Sequence, residues 1–254
     1  MKQFIRFSYQ GSPTYGEVTP GGVYQIDGSP LGPHSRGEAV GDLETLDLCV
    51  PLRPGKVIGI GLNYRDHAEE VGTELPEEPI IFLKPTTSVV GPGDDIVLPP
   101  DVGRVDYEGE LAVVIGETVF RPTPSEAREA IFGYTCANDV SARELQREDG
   151  QWIRAKGFDT FCPLGPFLNC DVSLGSRRIE TRLNGEVRQQ SNLDQHVFVP
   201  DFLVWFCSQV MTLHPGDVII TGTPGGVGPM QPGDVVEVEI EGFGTLRNRA
   251  VQGT

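Results

Sequence analysis

Glycine and proline interrupt this chain at short intervals, and brief runs of Val, Ile and Phe stand between the interruptions. Of 254 residues, 32 are glycine and 21 proline. Proline removes a backbone donor and glycine loses much conformational freedom when ordered, so a chain punctuated this way is poorly suited to long helices. Short β-rich runs bounded by turn residues predict instead a mainly β (α+β) architecture with a few short helices. The length allows one domain with a proper core and room for a small appendage.

The appendage is expected at the N-terminus. Residues 3–9, 16–18 and 23–26 read as three short strands, separated by Gly11-Ser12-Pro13 and Pro20-Gly21-Gly22. Residues 28–52 are weakly periodic, with Leu43, Leu46 and Leu48 as their few anchors, so a junction is expected around residues 51–55. This divides the chain into a small β module, residues 1–52, and a larger domain, residues 53–254. The first part holds no catalytic constellation, and its expected role is packing or covering one end of the second.

The formal net charge is -16, with no basic block to offset it, which argues against nucleic acid and anionic membrane surfaces as partners. No signal-like N-terminus or bilayer-length apolar run is present, and a soluble, cytoplasmic protein is the expectation. The five cysteines, Cys49, Cys136, Cys162, Cys170 and Cys207, show neither metal-finger nor redox spacing and read as buried, reduced thiols. An enzyme this acidic needs a local cation to hold an anionic metabolite.

Residues 106–116, DYEGELAVVIG, bring chemistry into view. Alternation along a strand puts Glu108, Glu110, Ala112 and Val114 on one side and Leu111, Val113 and Ile115 on the other. Two buried carboxylates on one face call for a cation between them, and an oxygen-liganded divalent ion suits them, although two surface glutamates at a strand end would give the same pattern. Upstream, the apolar strand 56–61 ends in glycine, and Asn63 can cap a short helix ending near Gly72. His67 and Glu70 share a face of that helix, as a general base for water would require; a surface pair is the ordinary alternative. Residues 79–85 read as another buried strand, ending in Lys84, which either snorkels to the surface or meets an anionic ligand. Thr123-Pro124-Ser125-Glu126 has the features of a helix start, with an end expected near Phe132. The strand that follows carries Asp139 at its polar end, where it is either a third oxygen ligand or a turn residue.

Several blocks then converge. Asn63 to Glu70 (NYRDHAEE), Phe82-Leu83-Lys84-Pro85, the Glu108/Glu110 strand, Val140 to Gln146 (VSARELQ), Trp152 to Phe161 (WIRAKGFDTF) and Thr221 to Gly228 (TGTPGGVG) resemble, in order, the fumarylacetoacetate hydrolase family from about Lys56 to the C-terminus. The short N-terminal module also resembles that of many bacterial members. The resemblance implies that family's C-terminal-domain β-roll, commonly a homodimer, with one Mg²⁺ or Mn²⁺ per subunit held by Glu108, Glu110 and Asp139. It further implies a His67/Glu70 dyad that activates water, Lys156 as the basic residue facing the substrate, and Lys84, Arg143, Gln146 and Thr223 as substrate-binding positions. One departure is Leu193-Asp194-Gln195-His196 after Gln190-Ser191-Asn192, which puts substrate choice in doubt.

The remaining chain is consistent with this. Residues 179–189 read as a hairpin turning at Asn184-Gly185, and residues 199–213 as a helix with an apolar stripe through Phe202, Leu203, Phe206, Val210 and Leu213. The glycine-rich loop lacks a phosphate-binding fingerprint and reads as a backbone wall of the pocket. The expected partner is a small-molecule 2-oxo acid and the expected chemistry a metal-stabilised enolate, leading to isomerisation or decarboxylation of the kind found in aromatic-acid breakdown. Acylpyruvate-type carbon-carbon hydrolysis, or oxaloacetate decarboxylation or tautomerisation, is the alternative. A non-catalytic cation site is disfavoured because it would need neither His67 nor Lys156. A thiol hydrolase is disfavoured because no cysteine has an activating context.

Overall fold

The computed structural model describes residues 1–72 and 74–254, less the side chains of His67, Ala68 and Val71. Its strands form three sheets. The largest runs in space through His34–Gly41, Gly22–Gly28, Ser12–Thr19, Lys2–Tyr9, Cys162–Cys170, Ile131–Asn138, Gly109–Ile115, Val218–Ile220, Val57–Gly61 and Ile80–Lys84. A five-stranded sheet orders Glu186–Asn192, Arg178–Leu183, Val235–Ile240, Gly244–Gln252 and Asp95–Leu98, and a small one joins Ser141–Ala142, Val105–Tyr107 and Gly228–Pro229. The helices are short: α1 (Arg65–Val71), α2 (Pro124–Glu129), α3 (Arg143–Asp149), α4 (Ile153–Lys156) and α5 (Pro200–Val210). The fold is therefore mainly β, and among the described residues no helix is long and apolar enough to cross a membrane.

The strand Gly109–Ile115 is buried along its whole length. Leu111, Val113 and Ile115 enter one apolar cluster with Leu203, Ile219 and Val238, while Ala112 and Val114 enter another with Val57, Leu164 and Val218. Each fully buried Leu, Ile or Val contributes about 1.5–3 kcal/mol by leaving water, so this strand anchors the layers on both its faces. The run of residues 106–116 is not one strand, however. Val105–Tyr107 belongs to the small sheet and Gly109–Ile115 to the large one, with the crossing at Glu108.

The N-terminal hairpins continue the large sheet, because Lys2 pairs with Cys170 and Phe4 with Leu168. Residues 28–52 contain a strand that periodicity does not predict. His34–Gly41 is mostly exposed on both faces and forms through backbone pairing with Gly22–Gly28.

Other elements differ from expectation in informative ways. The capping box of α2 is present: Thr123 Oγ1 accepts from Glu126 N at 3.3 Å, and Glu126 Oε2 accepts from Thr123 N at 2.7 Å. The helix stops at Glu129 rather than near Phe132, because the next strand begins at Ile131. In α5 the buried face is Leu203, Val204, Cys207 and Ser208, whereas Phe202 and Val210 point outward. Ile80–Lys84 is an edge strand with Ile80 and Leu83 exposed, not a buried one. Asn63 does not cap α1. Its amide donates to Phe198 O (3.0 Å) and Thr221 O (2.7 Å), and its Oδ1 accepts from Phe198 N (2.7 Å), so it ties the start of α1 to two other segments.

The twin turns repeat one chemistry. Asp217 Oδ2 accepts from His214 N, and Asp234 Oδ2 from Gln231 N, both at 2.7 Å. Gly216 and Gly233 take the left-handed conformations (φ 88° and 102°) that these turns require.

Candidate metal centre and active site

Three acids meet where the strand Ile131–Asn138 runs beside the Glu108 crossing. Gly109 pairs with Asn138, and Asp139 N donates to Glu108 O at 2.9 Å, so Asp139 follows directly on the pairing that fixes Glu108. The crossing is held by side chains: Asn138 Oδ1 accepts from Glu108 N and Gln189 Oε1 from Gly109 N, each at 2.9 Å. One oxygen from each of Glu108, Glu110 and Asp139 lies within 4.8 Å of the other two, and all three residues are buried. A surface pair at a strand end is therefore excluded.

Basic side chains surround two of the acids. Lys84 Nζ donates to Asp139 Oδ1 at 2.5 Å, and Lys156 Nζ donates to Asp139 Oδ2 at 2.5 Å and Glu108 Oε2 at 2.8 Å. Arg143 Nη2 pairs with Glu108 Oε1. Asp106 steadies that arginine, accepting from Arg143 Nε at 2.8 Å and from Arg104 Nε and Nη2 at 2.6 and 2.9 Å. Burial opposes the charge on Glu108, yet Arg143 and Lys156 hold its pKa down at about 2. For Lys156, burial again opposes charge, and the carboxylates of Asp139 and Glu108 outweigh it and raise the pKa.

Glu110 is different. Its Oε2 accepts from Gly222 N at 2.7 Å, but among the described residues it has no ion pair. Burial, then the charges of Asp139 and Glu108, push its pKa well up. A carboxylate cluster in which one member lacks a basic partner is a donor set suited to a hard divalent cation such as Mg²⁺ or Mn²⁺, whose charge would relieve that repulsion.

A cavity of about 210 Å³ opens over the cluster, lined in part by Glu108, Glu110, Arg143, Gln146, Lys156 and Thr223. Arg143 Nη1 donates to Gln146 Oε1 at 2.8 Å, so the two side chains of α3 act as a unit. Thr223 Oγ1 donates to Gly109 O (3.0 Å) and accepts from Gln189 Nε2 (2.8 Å), which fixes the glycine-rich loop as a wall whose Gly222 N–H also serves Glu110. Lys156 has three N–H donors and spends two on the acids, leaving one for a ligand in the cavity it lines.

Seven of the sequence candidates thus converge: the three acids, Arg143, Gln146, Lys156 and Thr223. Lys84 is 2% exposed and lies against Asp139, outside the cavity lining. Glu70 is exposed on α1, where its carboxylate accepts from Gly226 N at 3.0 Å. The His67 side chain lies outside the described residues. The departing segment Leu193 to His196 packs on the start of α1: Arg65 Nη1 donates to Asp194 O at 3.2 Å, and the His196 ring lies 4.5 Å from that of Tyr64.

Sequence reasoning missed three residues. Asp106 was in view as an acid, but nothing in spacing reveals that it grips Arg143. Gln189 sits in a strand whose register alone brings it to Gly109 and Thr223. Trp152 lines the cavity beside Lys156, and an aromatic four residues before a site lysine was the available signal.

Comparison with known proteins agrees with this geometry. The profile of the fumarylacetoacetate (FAA) hydrolase C-terminal family matches residues 56–251. An uncharacterized protein of Archaeoglobus fulgidus is 56% identical over 231 residues, covering 91% of each chain. A mitochondrial oxaloacetate tautomerase of Bos taurus is 42% identical over 98% of this chain and 80% of its own. The crystal structure of a 5-carboxymethyl-2-hydroxymuconate delta-isomerase from Mycobacterium smegmatis superposes over the full length of both chains with a TM-score of 0.92 at 42% identity.

Proposed function

The chain belongs to the fumarylacetoacetate hydrolase family, and from that premise we propose that it is a divalent-metal-dependent enzyme that moves protons on 2-oxo and 2-hydroxy-2-enoic acids by way of an enolate. The observation that carries the reading is the buried triad Glu108, Glu110 and Asp139 beneath a cavity lined by Arg143 and Lys156. Counted fully ionised, the three acids and the three bases Lys84, Lys156 and Arg143 cancel. Mg²⁺ or Mn²⁺ held by the triad would supply the excess positive charge that makes an enolate affordable next to it.

The side chains have distinct tasks. Arg143 and Gln146 present a paired donor face for a substrate carboxylate, and Asp106 keeps the guanidinium from swinging away. Lys156 offers its remaining N–H to the substrate oxygen on which charge develops. Thr223 lines the cavity, and Gly222 N–H holds Glu110. Proton return to a different carbon gives tautomerisation or isomerisation, as the names of the bovine and mycobacterial relatives describe for those proteins. Decarboxylation would reach an enolate by another route: a β-carboxylate lost as carbon dioxide from the 2-oxo form leaves the electron pair of the broken bond on the 2-oxygen, stabilised by the same groups.

Carbon-carbon hydrolysis is the second reading, favoured by Glu70 on α1, hydrogen-bonded to the pocket-wall loop at Gly226. Glu70→Gln separates the two, since an amide oxygen still accepts from Gly226 but no longer supports a base. Metal-dependent exchange of C3 protons that survives in this variant, with no acyl cleavage by the native protein, supports proton transfer as the activity; acyl cleavage by the native protein that is lost in the variant would favour hydrolysis through the dyad.

A further inference from the structure

We propose that Trp152 sets the length of substrate this site accepts, its indole closing the charged cavity against an apolar groove so that short 2-oxo acids enter and longer ones are turned away. The inference rests on the reading of the site given above and specifies its substrate class.

Two hollows lie side by side here, and Trp152 is, among the described residues, the one that lines both. One is the 210 Å³ cavity over the acids. The other, about 520 Å³, runs along the edge strand Ile80–Lys84 and is lined by side chains such as Ile80, Phe82, Ile153 and Met211. The first is smaller than the roughly 300–1,000 Å³ usual for drug-sized ligands, and charged side chains take up much of its wall. Together the hollows would hold a far longer molecule, and the indole stands where they meet.

The ring is held in place by its surroundings. It lies on the backbone of Gly61, where a Cβ would come within 2.6 Å of Cζ3 and 2.8 Å of Cη2. Phe82 meets it edge-on, with centroids 5.5 Å apart and planes at 66°. Lys156 Nζ sits 5.9 Å from the indole centroid and 4.9 Å from that of Phe82, so the two rings also flank the ammonium. Gly61 pairs with Ile80, which lines the apolar groove, so the indole spans the boundary between a strand of the site and the edge strand beside it.

Lys156 Nζ, which bridges two of the acids, lies 5.9 Å from the indole centroid, so on this proposal a substrate held at Arg143 and Lys156 meets the ring as its chain lengthens. One methylene misfitted in a pocket is worth roughly 10- to 200-fold in discrimination.

The test uses the full chain loaded with Mn²⁺ in D₂O, with C3 hydrogen-deuterium exchange of oxaloacetate, 2-oxoglutarate, 2-oxoadipate and 2-oxopimelate as the readout. The native protein is expected to show kcat/KM at least tenfold higher for the four-carbon than for the six-carbon acid. Trp152→Leu should reduce that ratio tenfold or more, chiefly by lowering KM for the six- and seven-carbon acids, and Trp152→Phe should fall between. No length preference in the native protein, or an unchanged ratio in both variants, overturns the assignment of Trp152. Absence of metal-dependent exchange with every acid overturns the reading of the site itself, and this inference with it.

Discussion

Glu110 carries the most information about the site at the scale of single residues. It is 1% exposed, accepts one backbone hydrogen bond, and is repelled by Asp139 and Glu108 with no ion pair among the described residues. Glu110→Gln should therefore act in opposite directions on two measurements. Calorimetric titration should show Mn²⁺ affinity reduced by about 100-fold or more, while urea unfolding in chelator should show stability unchanged or raised, since an amide still accepts from Gly222 and is not repelled by Asp139 and Glu108. His196 supports a second prediction. Burial lowers its pKa from 6.5 to about 4. The unfolded chain then binds more protons between those values, so the stability present above pH 6.5 is lost as pH falls toward 4, by about 3 kcal/mol in all. His196→Gln should flatten that part of a pH-stability curve, whereas an unchanged slope would assign the loss to other groups. The acids were legible in the sequence because strand alternation puts Glu108 and Glu110 on one face. The role of Asp106 was not, because an acid that grips an arginine looks, in one dimension, like its neighbours.

Asn63 and Thr123 show what separates a local signal from a tertiary one at the scale of elements. The capping box of α2 lies within four residues and was readable in full; Thr123→Ala should cost about 1 kcal/mol in chemical denaturation. Asn63 has the composition of a cap but serves Phe198 and Thr221, residues 135 and 158 positions away. Asn63→Ala would leave buried backbone groups at both segments without partners, at about 3 kcal/mol or more, and should loosen α1, measured as faster amide exchange in that helix. A loss no larger than that of Thr123→Ala would contradict the bracketing role. The same distinction explains the strands. Ile80–Lys84 is apolar in sequence but lies at an edge, because composition does not report how many neighbours a strand has. His34–Gly41 is polar on both faces and exists through its hydrogen bonds to Gly22–Gly28, so no apolar pattern could announce it.

On the scale of the whole molecule, the site is a junction of sheets. Glu108 lies where the chain passes from the small sheet to the large one, and Gln189, from the five-stranded sheet, holds that crossing and the Thr223 wall together. Cation binding is therefore expected to tighten all three sheets at once. At Mn²⁺ 100-fold above its dissociation constant, the folded state should gain about 2.7 kcal/mol, raising Tm by roughly 5–10 °C, and Glu110→Gln should abolish the rise. We also propose that the chain forms a homodimer, which light scattering would report as twice the chain mass. The central claim is metal-dependent proton transfer on a 2-oxo acid, and proton NMR in D₂O with oxaloacetate and acetylpyruvate as separate probes, with Mg²⁺ and then with chelator, tests it most directly. The account predicts Mg²⁺-dependent C3 deuterium exchange, lost on chelation and without acyl cleavage; exchange and product formation indifferent to the metal would contradict it.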